Sequence, residues 1–462
     1  MAEQKTKIMK IIKVLIGLEI HIELKTESKM FCRCSAESFG KEPNSQTCPV
    51  CLGLPGALPV PNQKAIEWTI LTGLALNCQI PKKAKFDRKN YFYPDLPKGY
   101  QISQYDQPFT INGRLEFKVK DQKFKVKIRR VHLEEDTGKS IHTKANGQKT
   151  TLLDFNKSGV PLIEIVSDPD MGSAEEALAY CQRIRKIIRY LGVSDCDLEK
   201  GQMRFEPTIN LLIEDDDKEF FTPLVEIKNI NSFRFLKKAL EFEIERQFKE
   251  FNNSGRVKTA GNKKTFGFDQ EKMVTFEQRH KEEAEEYRYF PEPDIPPFEW
   301  NEKQIKNFKM KFSKMELPDE KERKFTEKYG LNPSLVDVLT EEKSLADYYE
   351  EVVKEGEKRK ISPGEIAKMI VNKRFDFQNL SPTDFVKRTE EGKTKFDLEE
   401  KEIAKIVEEA LRQNPKVIED YKKGKTQVIG FLIGQVQKKA LGKADPKTVQ
   451  KILLEKLTDF SS

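Results

Sequence analysis

Between Lys13 and Leu24 the chain reads KVLIGLEIHIEL. Val14, Ile16, Leu18, Ile20, Ile22 and Leu24 share one parity, and Gly17, Glu19, His21 and Glu23 share the other. A period of two is that of a strand with one face on a core. The opposite face then carries two carboxylates and an imidazole, spaced two residues apart.

Three further segments repeat the theme. In KFKVKIRRVHLEEDTGK the apolar positions Phe124, Val126 and Ile128 alternate with Lys, and the pattern slips by one at Arg129–Arg130. A bulge at the slip presents His132, Glu134 and Asp136 together. MRFEPTINLL sets Arg204, Glu206, Thr208 and Asn210 against Met203, Phe205 and Ile209, and PLVEIKNINSF sets Glu226 and Lys228 against Val225 and Ile227. A single strand of this kind usually turns its charges to water. Four of them, two with a histidine near a carboxylate, point to one sheet face used as a metal and phosphate cradle. Mg²⁺ takes one or two carboxylates and fills its shell with water and phosphate oxygens, so further acids hold a second ion or orient the first. Arg88 and Lys89 in FDRKNYFYPDLPKGYQISQYD supply opposing charge for phosphates. DTGKS (Asp136–Ser140) is no P-loop, because Leu133 stands where GxxxxGK[ST] needs its first Gly.

Four of seven cysteines fall in FCRCSAESFGKEPNSQTCPVCLGLPG. CPVCLG is a zinc-knuckle turn in which Gly53 relieves crowding, and Cys32 and Cys34 complete a four-thiolate set with Cys48 and Cys51. Such a set is closed, so zinc there is structural; a reduced thiol cluster or a redox pair are the alternatives. Cys78, Cys181 and Cys196 lack metal spacing and read as buried thiols.

With 462 residues the chain exceeds one core, and two or three domains are expected. Strand-like alternation ends near YFPEPDIPPFEW (Tyr289–Trp300), after which Lys/Glu/Leu helical patterns run to the end; a softer boundary falls at Thr389–Glu402. The fold class is therefore α+β. No apolar run reaches the roughly 18–20 residues a bilayer crossing needs. Lys10 and Lys13 interrupt the N-terminal apolar run, which reads as a strand rather than a leader, so a cytoplasmic location with reduced cysteines is expected. A net charge of +7 permits a nucleic-acid partner without requiring one.

Taken together, IGLEIHIEL, KMFCRC, PNSQTCPVCLGLPGALPVPN, NYFYPDLPKGYQISQYDQP, VHLEEDTGK, DFNKSGVPLIEIVSDPDM, VEIKNINSFRFLKKAL, EEAEEYRYFPEPDIPP and GFLIGQVQKKALGKADP resemble, in order and over nearly the whole length, the GatB family, the B subunits of bacterial-type aspartyl/glutamyl-tRNA amidotransferases. The resemblance implies a glutamine-synthetase-like cradle domain over 1–298 with the zinc clip at 32–51, a helical domain over 299–396, and a YqeY-like tail over 397–462. It implies phosphorylation by ATP of the side-chain carboxylate of Glu-tRNA(Gln), and of Asp-tRNA(Asn) in many organisms. Ammonia from the amidase, the A subunit, then displaces the phosphate, and a heterotrimer is completed by a small C subunit. Glu19, His21, Glu134 and Glu206 match the family's magnesium ligands, with Glu226 nearby and Lys89 at the nucleotide.

The chain departs from the family in places. MRFEPT stands for the common MRCDVN, so Glu206 replaces an Asp; AGNKKTFGFDQ stands where a QETR strand is common; and GQVQKK lacks a common Met. In the basic tail the resemblance favours contact with the tRNA elbow through backbone and shape. Lys422, Lys423, Lys425, Lys438, Lys439 and Lys443 are its candidate phosphate contacts, with Phe431, Leu432 and Val436 expected inside. Two other readings compete: a stand-alone glutamine-synthetase-like ligase, which turns over free glutamate, and a non-catalytic tRNA-binding scaffold, which has no nucleotide or Mg²⁺ affinity.

Overall fold

A computed structural model describes residues 9–459 apart from 121, 146, 281–286, 373–379, 394–397, 423–426 and 441–443. The chain forms two compact units, Met1–Lys324 with Thr340–Lys343, and Phe325–Leu339 with Ser344–Ser462. The α+β class read from the sequence is the one observed.

The strands run in chain order as β1 (Lys10–Glu23), β2 (Lys83–Ala84), β3 (Asp87–Asn90), β4 (Tyr100–Ser103), β5 (Thr110–Val119), β6 (Gln122–Glu135), β7 (Lys139–Ala145), β8 (Gln148–Asp154), β9 (Pro161–Ser167), β10 (Met203–Asp215), β11 (Lys218–Phe221), β12 (Val225–Ile227), β13 (Lys264–Asp269), β14 (Val274–His280), β15 (Phe290–Pro291) and β16 (Phe298–Glu299). Among them lie α1 (Gln63–Ala75), α2 (Ala174–Leu191) and α3 (Phe233–Ser254), and α4 (Glu302–Phe312) follows. Nine strands make one sheet in the order β14-β13-β12-β10-β1-β9-β6-β5, with β11 paired to β10. Every ladder in it is antiparallel except β12–β13.

The alternation of β1 decides how this sheet is used. Ile16, Leu18, Ile20 and Ile22 are buried in a core shared with α1, α2 and α3. On α2 the inward residues Ala177, Cys181, Ile184, Ile188 and Leu191 recur at helical spacing. Ser173 caps its first turn through Glu176 N, and Gly192 ends it at φ 69°. With helices on its apolar face, the sheet is left with a polar face as the floor of a cavity. α4 also belongs to this unit, since Phe308 and Phe312 pack on the same core. The unit therefore continues past the compositional change at Tyr289–Trp300.

Down the rest of the chain come α5 (Pro318–Glu327), α6 (Pro333–Leu339), α7 (Lys343–Glu357), α8 (Pro363–Val371), α9 (Pro382–Lys393), α10 (Glu400–Gln413), α11 (Pro415–Lys422), α12 (Val428–Lys439) and α13 (Pro446–Asp459). The second unit holds two separate apolar cores, one around Phe325, Tyr349, Val353 and Phe385, the other around Val407, Leu411, Leu432, Val436 and Leu453. Phe431 is a correction: it is 49% exposed. Leu432 and Val436 lie four residues apart on the buried face, and one residue back rotates Phe431 about 100° off it.

Candidate active site

The register of the sheet sets charged residues in rows across the floor. One row runs Arg204 (β10), His21 (β1), Glu164 (β9), His132 (β6), each the direct partner of the next. The neighbouring row runs Glu206, Glu19, Val166, Arg130. Glu226 on β12 opposes Thr208, one step further along β10. The parity slip read at Arg129–Arg130 is present as a register shift between Ile128 and Arg130. It turns Arg129 outward to Asp168 and puts Arg130, His132, Glu134 and Asp136 on the floor of a cavity of about 1720 Å³.

The acids resolve into two groups rather than one. His21, Glu134 and Glu164 form the first and Glu19, Glu206 and Glu226 the second, with potential ligand atoms within 4.8 Å of one another in each. The four residues expected to share magnesium are therefore divided, two to each group. In the first, His21 Nε2 lies 3.2 Å from Glu164 and 3.9 Å from Glu134, and Ser103 Oγ donates to Glu134 at 2.9 Å. Burial would lower the His21 pKa, but the charge of Glu164, its hydrogen bond, and then Glu206 and Glu134 outweigh it and raise the imidazole to about 9. His132 Nε2 is 3.4 Å from the same Glu164. Burial acts to raise Glu164, yet the two histidines hold its carboxyl well below its ordinary value. In the second group burial, then Glu164 and Glu226, push Glu19 upward. Lys228 contacts both Glu206 and Glu226, and Lys263 reaches Glu226 at 2.9 Å.

These donor sets suit divalent cations. Carboxylate oxygens match Mg²⁺, and the imidazole in the first group admits Mn²⁺ equally well. His21 Nδ1 is buried without a hydrogen-bond partner among the described residues. Paired carboxylates this deep are held together by cations or by protons.

Lys89 lines the cavity, with Nζ 4.8 Å from the Tyr287 ring centre and 5.7 Å from that of Tyr91. Arg88, expected beside it, does not. Successive residues of β3 face opposite ways, and the Arg88 guanidinium forms a fork with Glu292 at 2.7 and 2.9 Å and reaches Asp294 at 3.2 Å. Of the tail lysines, Lys438 is exposed on α12 and Lys439 pairs with Glu409 at 2.5 Å. Lys423, Lys425, Lys443 and the side chain of Lys422 lie outside the described residues.

The family model of the GatB/GatE catalytic domain matches residues 14–306, from β1 into the first half of α4, and a second model, the GatB domain, matches 336–457. The chain belongs to the GatB family. Among its relatives is the aspartyl/glutamyl-tRNA(Asn/Gln) amidotransferase B subunit of Carboxydothermus hydrogenoformans, 43% identical over 96% of this chain and 98% of the relative. Proteins of the same name from Thermodesulfovibrio yellowstonii (42%, covering 96% and 99%) and Thermotoga maritima (41%, covering 95% and 98%) align almost end to end.

Beside the cavity of this GatB-family chain, Cys32, Cys34, Cys48 and Cys51 gather their sulfurs within 4.8 Å of one another. Cys48 and Cys51 are 3.8 Å apart, the separation of about 3.8 Å that a tetrahedral zinc with bonds of ~2.3 Å imposes. The buried Lys29 places Nζ 3.7 Å from Cys51 Sγ. A hydrogen bond from Cys32, with Lys29 contributing, lowers Cys51 to about 4, while burial raises Cys34 to about 11. The clip is tied into the sheet: Met30 N donates to Gly159 O at 2.7 Å, and Ser158 Oγ to Cys51 O at 3.2 Å. It thus links the end of β1 to the start of β9, the strands that carry His21 and Glu164. Cys78, Cys181 and Cys196 are buried.

Glu164 is the GatB floor residue that sequence reasoning missed. It stands in PLIEIVS, in which every residue is buried, and a central strand covered on both faces reads as an apolar run rather than an alternation. The single carboxylate within that run was the available signal. Arg204 and Lys157 are further floor residues, both paired with Asp136. Among the described residues no helix is long and apolar enough to cross a membrane.

Proposed function

We propose that the chain is the B subunit of an aspartyl/glutamyl-tRNA amidotransferase. On this reading the cavity activates the side-chain carboxylate of Glu-tRNA(Gln), and of Asp-tRNA(Asn), using ATP. The observation that carries the reading is the pair of acidic groups on one sheet face, with Lys89 lining the same cavity. Phosphoryl transfer needs positioning and charge neutralisation more than covalent chemistry, and this floor offers both.

A carboxylate oxygen of the aminoacyl group attacks the γ-phosphorus; the bond to the β,γ-bridging oxygen breaks and ADP departs. Ammonia nitrogen then attacks the acyl carbon, the carbon–oxygen bond to phosphate breaks, and the proton lost from nitrogen leaves on the phosphate. Divalent cations held by His21, Glu134 and Glu164 and by Glu19, Glu206 and Glu226 would neutralise phosphate oxygens. Ser103 fixes Glu134, and the two histidines keep Glu164 ionised. The zinc clip has no open position and serves structure. The amidase, as the A subunit, supplies the ammonia, the small C subunit joins both, and residues 397–462 act as the tRNA-contacting tail. The tail limit 397–462 belongs to the same reading, whereas the cradle extends past 298 to take in α4.

The test is ATP hydrolysis by the complex reconstituted with its A and C subunits. Glu-tRNA(Gln) should stimulate it, and Glu19→Ala and Glu134→Ala should each abolish the stimulation. Stimulation that survives both substitutions overturns the assignment of the floor. Turnover of free glutamate without tRNA would favour the stand-alone ligase, and tight tRNA binding without nucleotide affinity the scaffold.

A further inference from the structure

The cavity floor collects six carboxylates, from Glu19, Glu23, Glu134, Asp136, Glu164 and Glu206, with the buried Glu226 beside Glu19 and Glu206, and most cations near them are already matched. Lys157 bridges Glu23 and Asp136, at 2.5 and 3.1 Å. Arg204 forks onto Asp136 at 3.1 and 3.3 Å. Lys228 and Lys263 are committed to Glu206 and Glu226. Arg130 is different. Its Nε donates to His132 Nδ1 at 3.2 Å and Nη1 to the Tyr105 carbonyl at 3.3 Å, neither of which carries a negative charge, and no carboxylate partner is found among the described residues.

We propose that Arg130 is a catalytic residue that binds the transferring phosphoryl group, acting with Lys89 as a two-point clamp.

Three observations carry this. First, the guanidinium is aimed. The bulge at Ile128/Arg130 turns it onto the cavity floor, and its two hydrogen bonds hold the plane while leaving other N–H donors unused. A planar fork with spare donors is the geometry that phosphate oxygens match. Second, Arg130 and Lys89 line the same cavity and flank one cluster of tyrosines. The Tyr105 ring stacks on Tyr289 at 4.4 Å and 12°, and Tyr289 meets Tyr287 edge-on at 6.1 Å, over which Lys89 Nζ sits. Burial raises the Tyr289 phenol to about 12, and Lys89 and Arg130 both pull against it, so one hydroxyl lies in the field of both cations. Third, Arg130 occupies the same cross-strand row as Glu19 and Glu206, with uncharged Val166 between. An anion over Val166 would have carboxylate-rich floor on one side and the guanidinium on the other. A phosphate bound by cations held on those carboxylates would then need its outer oxygens met from Arg130's side.

The inference rests on the phosphoryl-transfer reading above and adds the residue that discriminates ATP from ADP. Full-length chain in the reconstituted complex is compared as wild type, Arg130→Gln, Arg130→Lys and Arg129→Gln. Arg130→Gln should lower tRNA-stimulated ATP hydrolysis by about 10²–10³-fold in kcat and reduce the preference for ATP over ADP in equilibrium binding by roughly tenfold. Arg130→Lys, which keeps charge without the fork, should fall between. Arg129→Gln, on the neighbour that turns outward to Asp168, should leave the ATP/ADP ratio within about twofold of wild type. An Arg130→Gln protein that keeps wild-type turnover and ATP preference overturns the proposal. So does an equal loss of that preference in Arg129→Gln, because removing a positive charge outside the cavity would then suffice. Thermal melts and Mn²⁺ binding report whether each variant is folded; if Arg130→Gln is not, the decision rests on Arg130→Lys, whose unchanged ATP/ADP ratio would equally overturn the clamp. A wild-type complex that shows no tRNA-stimulated hydrolysis defeats the functional reading instead, and binding of ATP against ADP still judges Arg130.

Discussion

Glu19 and Glu206 are direct cross-strand partners in the β1–β10 ladder. Like charges directly opposite in an antiparallel pair are destabilising, by roughly 0.2–1 kcal/mol on exposed sheets. Here both residues lie on the floor of the cavity, with Glu226 completing the group. Lys228 offsets part of the repulsion from the side of Glu206, and burial with Glu164 and Glu226 pushes Glu19 upward. Replacing Glu19 by Gln should therefore raise the thermal midpoint in magnesium-free buffer by a few degrees, about 1 kcal/mol. The same change should cut tRNA-stimulated ATP hydrolysis at least about a hundredfold. A drop in the midpoint would show that Glu19 contributes to the fold rather than straining it.

The imidazole of His21 gives the site a pH signature. Its folded-state pKa of about 9 lies above the ordinary 6.5. In the absence of divalent cation, the stabilisation is complete below pH 6.5 and is lost as pH rises towards 9, on the order of 3 kcal/mol in total. A cation bound at His21 must displace the proton, so affinity should change in the opposite sense. Anaerobic Mn²⁺ titration between pH 6.5 and 8.5 should show binding tightening by roughly tenfold per pH unit. Affinity independent of pH in that window would remove His21 from the ligand set.

Much of this site could be read from residue order, and the gaps have physical causes. Period-two alternation in β1 and the slip at Arg129–Arg130 carry side-chain direction, and both survive in the ladder registers. Glu164 was hidden because a strand buried on both faces loses its alternation. Arg88 was misplaced because two adjacent basic residues look equivalent as letters, whereas a strand sends only one of them into the cavity. The grouping of acids into two trios depends on which strands are neighbours. β9 enters between β1 and β6 from far along the chain, and no local pattern encodes that order.

The opposite directions of Arg88 and Lys89 can be separated experimentally. Arg88 forks onto the buried Glu292 and lies 4.2 Å from the Tyr100 ring centre. Arg88→Ala strands a buried carboxylate and should destabilise the chain by roughly 3 kcal/mol, with ATP affinity in the surviving folded protein changed less than about twofold. Lys89→Ala removes a cavity cation that has no carboxylate partner among the described residues and should do the reverse: little change in the melt and a loss of about tenfold or more in ATP affinity. Denaturant melts paired with nucleotide titrations read both. Equal effects of the two substitutions on ATP affinity would contradict the strand geometry.

Gly53 and Gly56 test how the four-cysteine clip is seated. Both hold left-handed backbone, at φ +66° and +85°, but their surroundings differ. A Cβ on Gly53 would lie 2.3 Å from Lys98 Cγ and 3.1 Å from Lys98 Cα, whereas nothing lies within 4 Å of one on Gly56. Gly56→Ala should therefore cost only the backbone strain of an alanine in that region, about 1 kcal/mol. Gly53→Ala adds the collision, which backbone movement must relieve because one contact is with a main-chain atom. The two-residue stretch from Cys51 would shift, and with it the sulfur positions. Zinc content should stay near one per chain in Gly56→Ala and fall in Gly53→Ala, as it should in Cys48→Ser, measured by metal analysis after dialysis against a weak chelator. Full zinc retention in both Gly53→Ala and Cys48→Ser would show that the four thiols do not form one metal clip.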